Sequence, residues 1–159
     1  MSSLRVGFSH APDALLRFSF EAEGRDAVNV ACPRLAGPDA PEVWSGDAAD
    51  FSVICIEVPE RGDDIETAAR IAYRDLLATV RGSAHPSLIR LWNYLDAINE
   101  GEGDSERYRR FCLGRAAAVD AAFNDPPPAA TGIGHAHRTG QVQLVALCAA
   151  EPAVALENP

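Results

Sequence analysis

A chain of 159 residues, 47% of them hydrophobic and 23% charged, is sized for one domain around a continuous core. Its formal net charge of −9 excludes nucleic-acid backbone and anionic membrane as generic partners. No run approaches the roughly 18 apolar residues of a membrane span, and Met1 to Phe20 mixes Arg, His, Asp and Ser with its hydrophobes, so a cytoplasmic location is expected.

In chain order, the first strand is predicted over 14–21, where Leu15, Phe18 and Phe20 alternate with Arg17, Ser19 and Glu21. A second covers 27–33 and ends at Pro33, whose ring cannot continue a ladder. Residues 34–50 carry so much Pro, Gly and Asp that they read mostly as loop. The β-branched run FSVICIEVP, 51–59, is the strongest strand signal in the chain. A helix follows, capped by Asp63 or Asp64 with Glu66 in its first turn. Ile65, Ala69, Ala72, Tyr73, Leu76 and Val80 recur along it at helical spacing, and Gly82 and Pro86 close it. SLIRLWNYL, 87–95, returns to a strand, and 99–104 is a turn. A second helix is predicted from Asp104 or Ser105 to about Phe123, stopped by the prolines of 124–128. Two strands, 129–136 and 141–150, complete the chain around a turn at Thr139-Gly140.

This order predicts an α+β domain over 1–159, a mixed, mostly antiparallel sheet with two helices on one face. The last strand is apolar on both alternating faces near its end, so the second sheet face also needs cover. Self-association into a closed oligomer, best a trimer, is the expected solution. The cysteines, Cys32, Cys55, Cys112 and Cys148, lie far apart without a C-x-x-C pair and are expected to be free thiols.

The second helix holds four arginines. At about 100° per residue, Tyr108, Phe111, Cys112, Arg115, Val119 and Ala122 share one stripe. Arg107, Arg109 and Arg110 point elsewhere and are expected in solvent. Arg115 follows Gly114, which permits close approach of another backbone or a ligand. A guanidinium on an apolar stripe needs an anion. An internal salt bridge and a fork for a ligand carboxylate both satisfy that need, and Tyr108 on the same stripe can add a hydroxyl.

Other motifs carry little. His135 and His137 offer two ligands without a third, so no metal is expected. Gly132-Ile133-Gly134 lacks the third glycine and the following helix of a dinucleotide loop, and no Walker, G-x-S-x-G or H-E-x-x-H pattern occurs. The acids Asp96, Glu100, Glu102 and Asp104 read as a solvated turn.

The stretch HPSLIRLWNYLDAINEGEGDSERYRRFCLGR, 85–115, closely resembles the chorismatases, and so do VNVACPRLAG, EVW, PAATGIG and ALENP elsewhere in the chain. The resemblance implies a YjgF/RidA-like fold, related also to chorismate mutase, and an enzyme of secondary metabolism that releases pyruvate from chorismate without a cofactor. It implies that Arg115, Tyr108, Asn93 and Trp92 line a pocket for a carboxylated cyclic substrate. Chorismatases continue through an Asn-Pro-Arg-Gln motif into a second half that carries a general-acid glutamate, whereas this chain stops at Asn158-Pro159 and has no counterpart of that glutamate. The segment between Trp44 and Phe51 is also shorter than the family's hairpin. The expected alternatives are a non-catalytic assembly domain that joins a complementary polypeptide, and a RidA-like enzyme. The RidA pattern Pro-Ala-Arg-Thr reads Pro128-Ala129-Ala130-Thr131 here, with alanine in place of the carboxylate-binding arginine.

Overall fold

The computed structural model describes residues 4–10, 16–22, 27–35, 41–120, 123, 127–135 and 139–154. Strands β1 (Leu4–His10), β2 (Leu16–Ala22) and β3 (Val28–Cys32) form a small antiparallel sheet in that order. Strands β4 (Glu42–Asp47), β5 (Phe51–Pro59), β6 (Ser87–Asp96), β7 (Ala129–His135) and β8 (Gln141–Ala149) form a second sheet, ordered β4-β5-β8-β6-β7. Among the described residues, only the β6–β7 pair of this sheet is parallel. Helices α1 (Ile65–Gly82) and α2 (Arg107–Ala116) complete the described elements.

Helix α1 starts where the Asp64 carboxylate accepts the Thr67 N–H at 3.1 Å, and Glu66 complements the dipole in its first turn. Its buried residues, Ile65, Ala68, Ala69, Ala72, Tyr73, Leu76, Leu77 and Val80, follow a 3-4-3-4 spacing that aims one stripe at the sheet. That stripe packs on Ile54, Ile56 and Val58 of β5 and on Val142, Leu144 and Ala146 of β8. Each aliphatic side chain so buried contributes about 1.5–3 kcal/mol. Helix α2 packs on α1 at a close crossing. A methyl group added at Gly114 would lie 2.1 Å from the Glu66 carbonyl oxygen, so only glycine permits this approach.

The far face of the large sheet has its own core. Phe18, Val30 and Cys32 of the small sheet meet Trp44, Val53, Cys55 and Val145 there. Gly46 lets β3 come this near, since a side chain would strike the Ala31 carbonyl at 2.5 Å. This partner was not expected from the sequence: part of the second face is covered from within the chain, by β2 and β3. Over β6, Trp92 and Tyr94 remain half-buried.

Three further expectations change. Residues 42–47, read as loop, form β4, because Val43 and Trp44 are buried by pairing with β5 despite the Pro and Asp around them. Residues 4–10, not predicted as a strand, form β1. The second helix ends at Ala116, well short of Phe123, after a separate 3-10 turn at Gly103–Ser105. Residues 14–15, Ala122, 136–137 and 155–159 lie outside the described residues.

Candidate functional site

Helix α2 buries Arg107, Phe111 and Gly114, a 4-3 spacing that turns the buried stripe one residue away from the predicted one. The shift follows from the crossing at Gly114, which must face α1. Tyr108 therefore sits at the edge of the stripe and is 41% exposed, and Arg115 is half-buried on the same edge.

The Arg115 guanidinium stands over two aromatic faces, 5.8 Å from the Tyr73 ring centre and 5.5 Å from that of Phe123. Among the described residues it makes no ion pair. Cation–π attraction and the aliphatic stem hold it, so its N–H donors keep their capacity for an anion. Beneath it, Tyr73 meets Phe111 and Phe123 edge-on, both at 6.0 Å, and Tyr108 stacks on Phe111 at 6.2 Å.

The Tyr73 hydroxyl donates to Asn93 Oδ1 at 2.7 Å, and Asn93 Nδ2 donates to the Thr131 carbonyl at 3.1 Å. One chain of contacts thus runs from α2 through α1 and β6 to the edge strand β7. Burial pushes the Tyr73 phenol well above its usual range, opposed by the nearby Arg115 charge. Tyr108 is raised first by the adjacent Cys112 and then by burial, and Arg115 again opposes. Both phenols are therefore hydrogen-bond donors at neutral pH. The Tyr73 proton is already given to Asn93, so an arginine fork beside the Tyr108 hydroxyl is what the surface offers, an arrangement suited to a carboxylate.

Of the four residues expected to share a pocket, Arg115, Tyr108 and Asn93 fall on the helix-bearing face. Trp92 does not. Side chains alternate along β6, so Trp92 points to the far face, where the Arg90 guanidinium stands 5.5 Å over its ring. Tyr73, read from the pattern as core alone, is the residue that underlies the Arg115 guanidinium and bonds Asn93. Its signal was a buried hydroxyl that needs a partner.

Arg107 corrects another expectation. Its side chain, 8% exposed, pairs with Glu60, 3% exposed, through Nη2 at 2.8 and 2.7 Å from the two carboxylate oxygens. Its Nε donates to the Asp96 carbonyl at 3.0 Å. The Asp96 carboxylate in turn accepts the Gly140 N–H at 2.6 Å and the Thr139 hydroxyl at 3.0 Å. Arg107 was expected in solvent and instead ties together the ends of β5 and β6 and the starts of α2 and β8. Arg109 is exposed and pairs with Asp104 at 3.0 Å, while half-buried Arg110 pairs with Asp64 at 3.2 Å.

A chain of Asp47, Ser52 and His85 looks catalytic at first sight. Ser52 Oγ donates to Asp47 Oδ1 at 2.6 Å and lies 2.7 Å from His85 Nδ1. The order is wrong for nucleophilic catalysis, because the serine sits between its partners and is fully buried. The cysteines are free, and burial pushes the Cys32 and Cys148 thiols up to about 12, outside the range of reactive thiolates. Among the described residues, no group of three metal-ligating side chains is assembled, and no helix is long and apolar enough to cross a membrane.

Residues 36–148 match the family profile described as chorismatase FkbO/Hyg5-like, N-terminal. A chorismatase of Streptomyces rapamycinicus is 37% identical over 137 residues, which are 84% of this chain and 40% of that protein. A 3-hydroxybenzoate synthase of Streptomyces hygroscopicus is 37% identical over 151 residues, covering 83% of this chain and 43% of its own. The chain therefore spans about two fifths of the length of the curated relatives it matches. Among solved structures, a chorismatase superposes with a TM-score of 0.58 at 23% identity, covering 92% of this chain and 41% of the other. A candidate translation initiation inhibitor of Salmonella typhimurium superposes at 0.51 with 15% identity, covering 74% of this chain and 96% of the other. At these identities the two structures establish the fold, which is YjgF-like.

Proposed function

The chain belongs to the FkbO/Hyg5-like chorismatase family, and on that premise we propose that it is the N-terminal part of an enzyme of secondary metabolism acting on chorismate or a related carboxylated ring. One observation carries its own share in that work: Arg115 is held over the Tyr73 and Phe123 rings with no carboxylate partner among the described residues. In this reading Arg115 grips a substrate carboxylate, Tyr108 adds a hydroxyl, and Asn93 acts through Tyr73 by fixing the ring beneath the guanidinium. Trp92, on the far face, serves the assembly. Its half-buried ring and that of Tyr94 form part of a contact with further subunits, a homotrimer or a complementary polypeptide that brings the proton donor. A cytoplasmic location belongs to the same proposal.

The competing reading is a non-catalytic assembly domain. The half-buried Trp92 and Tyr94 rings on the far face of the sheet are what favour it. Two measurements separate the readings. Chorismate titrated into the chain by calorimetry is expected to bind, and Arg115→Ala to weaken that binding about tenfold or more, the worth of a charge-assisted hydrogen bond. Unchanged affinity in the variant removes Arg115 from the site. Pyruvate release is then followed with the chain alone and with an added chorismatase C-terminal part. Release only in the mixture supports the shared site, whereas chorismate neither bound nor turned over in either case leaves the assembly domain.

A further inference from the structure

Away from Arg115, a cavity of about 600 Å³ opens between the first turns of α1 and the ends of β4, β5 and β8. That volume is ordinary for a small-molecule site, for which about 300–1,000 Å³ is typical. Its apolar floor is made by Val58, Ala68 and Ile71. Its walls carry both signs of charge: the acids Glu42, Glu57 and Asp64, and the bases Arg61 and Arg74.

The charges differ in what they already do. Glu42 pairs with Arg34 at 2.9 Å, Asp64 with Arg110 at 3.2 Å, and Arg74 with its neighbour Asp75 at 2.7 Å. Arg61 makes no ion pair among the described residues. Hydrogen bonds from Thr67 hold the Asp64 carboxyl below its usual range, so it stays charged down to mild acid.

A ligand with a single charge meets repulsion from one wall or the other. One with a cationic and an anionic end, and an aliphatic part for the floor, meets complement throughout. We infer that this cavity is a binding site for a small zwitterion of the aliphatic amino-acid class, its carboxylate toward Arg61 and its ammonium toward the acidic wall. The site is separate from the Arg115 cluster and does not depend on the chorismate reading.

The test uses three probes of nearly one shape: L-leucine, 4-methylpentanoate without the amine, and 3-methylbutylamine without the carboxylate. Each is titrated into the 15N-labelled chain while the amides of Thr67, Ala68, Ile71 and Gln141 are followed. Leucine is expected to shift them saturably and to bind about threefold to fivefold more tightly than either analogue, the worth of one exposed ion pair. Arg61→Ala, at an exposed turn position, is expected to remove most of that advantage over the amine while leaving the rest of the spectrum unchanged. Equal affinity for leucine and one analogue overturns the zwitterion. Absence of any shift at the four amides overturns the site, and an Arg61→Ala chain that binds like the parent overturns the role of Arg61.

Discussion

Arg107 and Arg115 stand two helical turns apart on α2 and solve the same problem in opposite ways. Arg107 is sealed against Glu60 and the Asp96 carbonyl, with every charge answered inside the chain. Arg115 rests on aromatic faces and finds no internal carboxylate among the described residues. The first arrangement fixes three strand ends and a helix start in place. The second holds a cation in position and leaves its hydrogen-bond donors to spend elsewhere. Burial of an arginine is thus a poor guide to its role, and the identity of its neighbours is a better one.

The contrast breaks most visibly at Arg107. Arg107→Ala leaves the Glu60 carboxylate buried without its partner and is expected to cost about 3–5 kcal/mol in urea unfolding. A loss below about 1 kcal/mol would mean that water reaches Glu60 and that the two arginines differ little. Gly114→Ala comes next, since its new methyl must displace the Glu66 carbonyl. It is expected to destabilise by about 1–3 kcal/mol, read from the same transition, and to disturb both arginines through α2. Tyr73→Phe removes the donor to the buried Asn93 Oδ1 and is expected to cost about 1–2 kcal/mol while keeping the ring under Arg115. Ligand affinity that falls with it would show that Asn93 acts through Tyr73. Arg115→Ala is expected to change stability least, by less than about 1 kcal/mol, the scale of an exposed cation–π contact. A larger loss would make Arg115 a structural residue like Arg107.

The sequence made the local pieces of this fold readable and left the long-range ones hidden. The spacing of α1 and the β-branched run of β5 both declare themselves within a dozen residues, and both form where expected. Strand β4 did not, because its Trp44 is buried by β5 and by the small sheet, neither of which a local composition of Pro, Gly and Asp can report. The phase of α2 was misjudged for a related reason. Its buried face is set by the contact of Gly114 with Glu66, nearly fifty residues away in the chain, and that shift moved Arg107 inward and Tyr108 outward. Arg115 lies at the boundary of that face and is half-buried. The split of Asn93 from Trp92 was legible all along, since neighbours on a strand face opposite ways.

The Asp47–Ser52–His85 chain settles one chemical detail of the molecule. Ser52 has a single hydroxyl proton, and an acceptor-only carboxylate already takes it. The contact with His85 therefore requires the imidazole to donate from Nδ1, so a neutral His85 must carry its lone pair on Nε2. The β4–β5 hairpin is thus tied to the segment just before β6 by a directed link, in which His85 donates to Ser52 and Ser52 donates to Asp47.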